Sequence, residues 1–152
     1  MAGADKYNEN DINNFRKQIN KIITTYEINI DHTTVRRLLK AVSPEEDYQV
    51  EGDFGNKEKI KVPDELCMSM MAYGFIPGDA FPVKRGLDGW HEYYFCTPVY
   101  INDTLTVNCK LTDVKEKNSK MYKTILILEF ETIIKNQIDA TVCIHNGAMI
   151  LY

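Results

Sequence analysis

Residues 60–74, IKVPDELCMSMMAYG, decide how the rest of the chain folds. Pro63 suits the first position of a helix, because its missing N–H would be unpaired there in any case. Gly74 suits the position just past the helix end, where a left-handed backbone is easiest for glycine. The residues between them place apolar groups on every side of the helix, which indicates burial all round. We therefore predict a short central helix from Pro63 to Tyr73, about 16 Å long, that the remaining chain encloses.

The methionines of this helix, Met68, Met70 and Met71, leave two interpretations open. Thioether side chains are flexible and polarisable, so they fill irregular gaps in a core. The same property suits the wall of a tunnel for an apolar ligand.

Length and charge exclude several classes of protein. A chain of 152 residues with 44% hydrophobic and 26% charged residues is expected to form one globular domain. The net charge of −4 gives no basic face for nucleic acid. No apolar run approaches the roughly 18 residues of a membrane span, and the polar N-terminus lacks a signal peptide's apolar segment. We expect a cytoplasmic protein.

The four cysteines, Cys67, Cys96, Cys109 and Cys143, are too far apart for a zinc or redox motif. Each lies in an apolar stretch, so we predict four buried free thiols. We expect neither a metal site nor a cofactor.

The first third of the chain predicts two helices and a strand. Apolar residues at helical spacing follow a cap at Asn10 and Asp11 and continue to Ile23, which predicts an amphipathic helix outside the domain. Residues 24–30 alternate with a period of two, which favours a strand. Asp31 then caps a second helix that ends at Val42.

The remainder predicts loops and then a long antiparallel meander. Residues 45–59 are polar and acidic, and residues 75–89 are rich in turn residues, so both segments are predicted to be loops. Strands are predicted over residues 90–96, 104–114, 122–135 and 140–152, with a turn at 102–103, a charged loop at 115–120 and a bulge or kink at 146–147. We predict an α+β fold in which a curved sheet wraps around the central helix.

Several segments in the right order resemble the MaoC-like hydratases and dehydratases. Residues 92–107, EYYFCTPVYINDTLTV, resemble the family signature of an aromatic strand, a proline, two residues and Gly-Asp-x-Leu. Residues 131–142, ETIIKNQIDATV, resemble the family's turn before the last strand, and residues 25–42 resemble its opening strand and helix. Asparagine replaces glycine at Asn102, and the turn at 136–139 is shortened, without threatening the fold.

This resemblance implies the hot-dog fold over residues 25–152, with residues 1–24 as a helical extension. Members of the family act on acyl thioesters of coenzyme A or acyl carrier protein. They usually form dimers in which the two sheets join side by side.

The resemblance is closest to the stabilising subunit of two-subunit hydroxyacyl-thioester dehydratases. Catalytic members carry Asp-x-Asn-Pro-x-His after the helix that here ends at Val42, and their Asp and His act as base and acid. This chain has Ser43-Pro44 there, and no histidine follows. None of the chain's three histidines, His32, His91 and His145, stands at the family's spacing from a carboxylate. The resemblance therefore implies a non-catalytic subunit, in a homodimer or in a heterodimer with a catalytic MaoC-like chain.

Two alternatives remain open. One is a hot-dog thioesterase, because those enzymes often place an acidic residue near the start of the central helix, where Asp64 and Glu65 stand. The other is a module that binds an acyl thioester without catalysis.

For any of these functions, the candidate substrate contacts are Tyr73, Gly74 and Phe75 at the end of the central helix, together with Trp90 and Phe95. Core packing is the competing interpretation of these aromatic residues.

Overall fold

The computed structural model describes residues 7–42, 61–64, 67–68, 85–120 and 123–152. Within these ranges, two helices and five strands follow one another as α1 (Glu9–Arg16), β1 (Ile22–Asn29), α2 (His32–Val42), β2 (Gly86–Phe95), β3 (Thr104–Ser119), β4 (Lys123–Lys135) and β5 (Thr141–Leu151). The strands form one curved antiparallel sheet in the order β1-β3-β4-β5-β2. This architecture confirms the predicted α+β class.

Helix α1 begins earlier and ends earlier than predicted. Asn8 is its N-cap: the Asn8 side chain accepts a hydrogen bond from the Asp11 N–H at 3.0 Å, and Asp11 accepts one from the Asn8 N–H at 3.1 Å. The helix ends at Arg16, and Asn20 has a φ of 65°, a left-handed conformation that a continuing helix does not allow. The chain then enters β1 at Ile22 instead of 24.

Helix α2 forms as predicted. Its cap is Asp31, whose Oδ1 accepts a hydrogen bond from the Thr34 N–H at 2.9 Å. A hydrogen bond from the Thr34 hydroxyl, and then the one from the Thr34 N–H, lower the pKa of Asp31, because both favour the carboxylate. Val35 is buried, and Leu38 and Leu39 pack against the same core cluster.

The start of the predicted central helix lies against the loop that precedes β3. The Val62 N–H donates to the Val99 carbonyl at 2.8 Å, and the Cys67 N–H donates to the Pro63 carbonyl at 3.1 Å, the spacing of a helical turn. Val62 and Cys67 are buried in the core. The prediction for the remainder of this helix, to Tyr73, falls on residues of which all but Met68 lie outside the described ranges.

Three local predictions are wrong. Strand β2 begins at Gly86, within the segment predicted to be a loop. The predicted loop at 115–120 continues β3 to Ser119, because this charged segment pairs in register with β4 and Lys115 forms an ion pair with Glu129 across the strands. The bulge or kink predicted at 146–147 is absent from β5, whose pairing with β4 is regular there, and the bulge lies instead in the neighbouring strand β2.

The two departures from the family pattern contact each other. Asn102 has a φ of 70°, a conformation that asparagine tolerates. The buried carboxylate of Asp103 accepts hydrogen bonds from the Tyr100 N–H and the Gln137 side-chain amide, both at 2.8 Å. Gln137 also accepts a hydrogen bond from the Thr104 N–H at 3.1 Å. Side-chain hydrogen bonds of Gln137 therefore connect the turn before β5 to the turn before β3.

The buried residues form two clusters on one face of the sheet, which we call the inner face. The first cluster joins the sheet to α2 and the start of the central helix and contains Ile30, Val35, Val62, Cys67, Val99, Ile101, Leu105, Val107, Ile134, Val142 and Cys143. The second joins the sheet to α1 and contains Ile12, Phe15, Cys109, Leu111, Val114, Leu126, Leu128, Phe130 and Leu151. Helix α1 is thus part of the core and not only an outer layer.

Candidate functional site

Two of the five predicted substrate contacts fall within the described residues. Phe95 packs against the first cluster, and its ring lies 6.4 Å from the ring of Tyr93. Trp90, five residues earlier on β2, is 46% exposed, so these two aromatic residues do not share an environment. Tyr73, Gly74 and Phe75 lie outside the described ranges.

The cysteines are free thiols, as predicted, but only three are buried. Cys96 is exposed because it lies just past the end of β2. Burial raises the pKa of Cys67 to about 12 and that of Cys143 to about 11, and it also raises the pKa of Cys109. A thiol with a raised pKa is a poor nucleophile at neutral pH.

Neither a metal cluster nor a membrane span is found in the part of the chain that the structure describes. No group of three histidine, cysteine or acidic side chains there could hold a metal ion. None of the described helices is both long enough and apolar enough to cross a bilayer.

A row of polar side chains crosses the inner face where the two clusters meet. Tyr93 on β2 pairs with His145 on β5, His145 pairs with Thr132 on β4, and Thr132 pairs with Cys109 on β3. Cys109 belongs to the second cluster, whereas Tyr93 packs on the first. We call Tyr93, His145, Thr132 and Cys109 the polar row.

Two further side chains connect this row to the surface. The Nε2 atom of His145 lies 2.8 Å from Nδ1 of His91, and Nε2 of His91 lies 2.7 Å from Oδ1 of Asp88. His145 is only 4% exposed, whereas the side chains of His91 and Asp88 are 28% and 74% exposed. A chain of hydrogen bonds therefore leads from the buried inner face to solvent.

A bulge in β2 places Asp88 and His91 on the same face. Residues three apart in a regular strand point to opposite faces, because side chains alternate. The register of β2 shifts between Asp88 and His91, which adds one residue and restores a common direction. Gly89 is needed there, since a Cβ atom on it would lie 2.6 Å from the carbonyl oxygen of Ala148.

A second glycine makes room for the contact between the histidines. A Cβ atom on Gly147 would lie 3.0 Å from both His145 Nε2 and His91 Nδ1. Gly147 thus leaves the space in which these two rings meet.

The surroundings of His145 keep it neutral. Burial, and then the neighbouring His91, lower its pKa to about 4, although Asp88 acts in the opposite direction. The Asp88 carboxylate can only accept, so His91 donates from Nε2 and, when neutral, accepts at Nδ1 from His145 Nε2. In this tautomer, the basic lone pair of His145 is at Nδ1. The Tyr93 ring stacks on His145 at 4.4 Å.

Thr132 is the unexplained member of the polar row. Its side chain is 4% exposed, and Oγ1 makes no hydrogen bond of good geometry within the described residues. Its polar neighbour is the Cys109 thiol: burial raises the pKa of that thiol, and a weak hydrogen bond with the Thr132 side chain opposes this effect. A buried polar group without a partner costs about 1–3 kcal/mol, so this hydroxyl needs an explanation.

Sequence reasoning missed this arrangement. It established only that neither His91 nor His145 stands at the family's spacing from a carboxylate. The available signal was Asp88 three residues before His91, with a glycine between them. Residues three apart share a face of a strand only if a bulge lies between them. This bulge depends on the pairing of β2 with β5, which the local sequence does not show.

The sequence matches a family model described as the FAS1-like dehydratase domain region over residues 17–145. No curated protein matches the sequence.

Solved structures share the fold at low sequence identity. The MaoC-like dehydratase from Rhodospirillum rubrum has a TM-score of 0.64 at 11% identity, over 88% of this chain and 92% of that one. The (R)-hydratase from A. caviae involved in PHA biosynthesis has a TM-score of 0.61 at 17% identity, over 87% and 97%. One chain of the ChsH1-ChsH2 complex from Mycobacterium tuberculosis has a TM-score of 0.62 at 16% identity, over 88% of this chain and 98% of that one.

These structures establish the predicted hot-dog fold, and the family model covers most of the chain. The chain therefore belongs to the FAS1-like dehydratase-region family and has the hot-dog fold.

Proposed function

We propose that this chain is a non-catalytic subunit of an enoyl-thioester hydratase or 3-hydroxyacyl-thioester dehydratase. The observation that carries the proposal is the sequence after α2, where Ser43-Pro44 stands without the aspartate and histidine of the Asp-x-Asn-Pro-x-His motif. Membership of a dehydratase family supports the reaction class. A partner chain supplies the missing acid–base pair.

The edge of the sheet supports association with such a partner. Among the described residues, β2 pairs only with β5, so its other edge is open. Leu87, Trp90 and Tyr94 on this strand are 55%, 46% and 48% exposed, which is unusual for large apolar side chains. A second hot-dog chain, identical or catalytic, joins its sheet to this edge. The structurally similar ChsH1-ChsH2 complex contains two different chains.

The substrate is an acyl thioester of coenzyme A or acyl carrier protein, and its acyl chain lies along the inner face. Tyr73, Gly74, Phe75, Trp90 and Phe95 remain the proposed contacts, of which Phe95 is supported by its position on that face. The free state of all four thiols supports the cytoplasm as the compartment.

Reconstitution tests this proposal. The isolated chain is expected not to hydrate crotonyl-CoA, measured by the loss of enoyl absorbance. Co-purification with a MaoC-like chain that carries Asp-x-Asn-Pro-x-His is expected to give a complex with turnover above that of the partner alone. Full hydratase activity of the isolated chain contradicts the proposal. Release of free coenzyme A by the isolated chain would instead favour a thioesterase.

A further inference from the structure

We propose that the outer end of the β3–β4 hairpin is a docking surface for an acidic carrier protein that brings the acyl thioester to this chain. We call residues 115–120, with the β4 residues that pair with them, the projecting hairpin. That the cargo is a thioester rests on the proposed function, whereas the docking surface rests on charge and geometry. The inference selects the protein carrier over coenzyme A as the partner of this surface.

The projecting hairpin extends past the hydrophobic core. Val114 is the last buried residue of β3, and Leu126 is the first buried residue among the described side chains of β4. The two strands nevertheless stay paired as far as Ser119 and Lys123, and residues 115–118 are all exposed. A two-stranded ribbon alone is only marginally stable in water, so this extension adds little to the core and is free to contact another molecule.

This end of the sheet is basic although the whole chain is acidic. Residues 16–21 at the end of α1 adjoin it, because the Asn20 N–H donates to the Leu111 carbonyl at 2.8 Å. Seven basic and four acidic side chains are described here: Arg16, Lys17, Lys21, Lys110, Lys115, Lys117 and Lys120 against Asp113, Glu116, Glu129 and Glu131. The local net charge of +3 contrasts with −4 for the whole chain.

The acidic groups of this end already form ion pairs within the chain. The pairs are Glu116 with Arg16, Glu131 with Lys110, and both Asp113 and Glu129 with Lys115. The remaining four cations form no ion pair with any described residue: Lys17, Lys21, Lys117 and Lys120. Uncompensated like charges repel one another, and an acidic partner removes that repulsion.

Apolar side chains lie between the lysines on the outer face of the sheet. Ile125 pairs with Lys117, and Ile127 pairs with Lys115, so these four side chains share the face opposite Leu126. Both isoleucines are only half-buried. Partly exposed apolar groups with charged groups around them have the composition of a protein interface. An amphipathic helix that carries acidic residues beside its apolar stripe fits such a surface.

The extent of the basic surface favours a protein over a nucleotide. Lys110 and Lys117 are seven residues apart on β3, which is about 23 Å along the strand. Small ligands bind in concave sites that enclose most of their surface, whereas these cations are spread along a ribbon and the end of a helix. A helix of about 15 residues has the matching length.

Titration calorimetry of the isolated chain with a bacterial holo-acyl carrier protein tests the docking surface. This probe carries no acyl group, so the result does not depend on turnover. Binding is expected, and Kd should rise by about tenfold or more between about 50 mM and about 300 mM sodium chloride, because salt screens exposed charges. No binding at about 1 mM carrier, or a Kd that salt does not change, overturns the proposal.

Charge reversal at the hairpin locates the binding. A double variant with Lys117→Glu and Lys120→Glu should raise Kd by about tenfold or more. The matched control carries Arg36→Glu and Lys40→Glu, which change the net charge equally on exposed positions of α2. Helix α2 follows Ile30, whose N–H bonds the Asp103 carbonyl at the opposite end of β3. Equal weakening in both double variants would mean attraction by net charge alone and overturns the docking surface.

Neutral substitutions keep the test decisive if charge reversal disturbs the hairpin. A double variant with Lys117→Gln and Lys120→Gln removes two charges and introduces no new ion pair with the chain's own lysines. It should raise Kd by about threefold or more, with thermal stability equal to or above that of wild type because like-charge repulsion is reduced. A Kd equal to that of wild type contradicts the proposal.

Competition by coenzyme A distinguishes the two carriers. Free coenzyme A at about 1 mM is expected to leave the Kd of the carrier protein unchanged, because the surface does not enclose a nucleotide. Displacement of the carrier by coenzyme A would assign these lysines to nucleotide phosphates and overturn the proposal.

The docking surface and the proposed function can fail separately. Absence of carrier binding refutes the docking surface and leaves the reconstitution with crotonyl-CoA to decide the hydratase function. Carrier binding with the expected dependence on Lys117 and Lys120 supports the docking surface even if the reconstituted complex shows no turnover, which would refute the hydratase function alone.

Discussion

His145 is the residue whose meaning changes most between sequence and structure. In the sequence TVCIHNGAMIL it is one polar residue in a largely apolar strand. In the structure it is buried, stacked on Tyr93 and bonded to a second histidine. Only the neighbouring strands supply these partners, so no local pattern in β5 could reveal them.

The buried state of His145 predicts a pH dependence of stability. Its pKa is about 4 in the folded protein and 6.5 without burial, so between these values the unfolded chain binds more protons. The free energy of unfolding therefore falls as the pH drops from about 6.5 towards 4, by at most about 3 kcal/mol from this group. Above about pH 7 its contribution is constant.

Urea denaturation of wild type and His145→Gln over this range checks the expectation. Glutamine does not titrate, so the difference in unfolding free energy between the two proteins should shrink towards low pH. Contributions from other groups, such as Asp31, cancel in that difference. His32→Gln is the control, because His32 lies on α2 and not on β5 with His145. A constant difference would show that His145 is not held neutral.

At the scale of elements, β2 shows how a turn signal can be overruled. Asp88-Gly89 is a strong hairpin sequence, and its neighbourhood is rich in glycine. The structure uses Gly89 instead for a bulge against Ala148. Pairing with β5 makes this segment a strand, because β2 gains hydrogen bonds to β5 along its length. Only glycine fits at position 89, where the backbone of β2 comes close to Ala148.

Gly89→Ala should therefore destabilise the protein by about 1–3 kcal/mol. The new methyl group would lie 2.6 Å from a backbone oxygen, which can move only with its strand. Gly86→Ala is the matched control, since its Cβ atom would meet the flexible Leu151 side chain at 3.2 Å and should cost much less. Chemical denaturation measures both variants. Equal stabilities would mean that the bulge does not require glycine.

The same substitution should disturb the hydrogen bond between Asp88 and His91, because the bulge gives these two residues a common face. Loss of the Asp88–His91 contact would appear as a changed histidine tautomer in the ¹⁵N spectrum of Gly89→Ala.

At the scale of the whole molecule, the sheet has two edges of different character. At one edge, β1 carries polar side chains such as Thr25 and Glu27 among its exposed positions. At the other, β2 exposes Leu87, Trp90 and Tyr94. This asymmetry supports β2 as the edge at which a second hot-dog chain joins.

Tyr94→Lys should weaken association, with a second copy or with a catalytic chain, by about tenfold or more, because buried aromatic residues dominate interfaces. Ile22→Lys is the matched control: Ile22 is 61% exposed on the opposite edge strand, and its replacement should leave association unchanged. Sedimentation velocity measures both. Weakening by Ile22→Lys alone would place the interface at β1 instead.

Helix caps, strand alternation and family motifs were sufficient to predict most of the fold. Asp31 capped α2 as predicted, and the alternation that begins at Thr104 predicted the core face of β3. Errors arose where long-range pairing overruled a local signal. The charged segment at 115–120 became strand because β4 supplied partners for it, and glycines near 86–89 became strand because β5 did.

The sequence by itself determined the α+β class, the hot-dog resemblance and the missing Asp-x-Asn-Pro-x-His motif, because these depend on residues that are close along the chain. Only the tertiary structure decided that Asp88, His91 and His145 form one chain of hydrogen bonds and that Thr132 lies beside His145. These residues are up to 57 positions apart, from 88 to 145, and strand register alone brings them together. Register depends on a bulge and two glycine contacts between strands, which no single strand specifies.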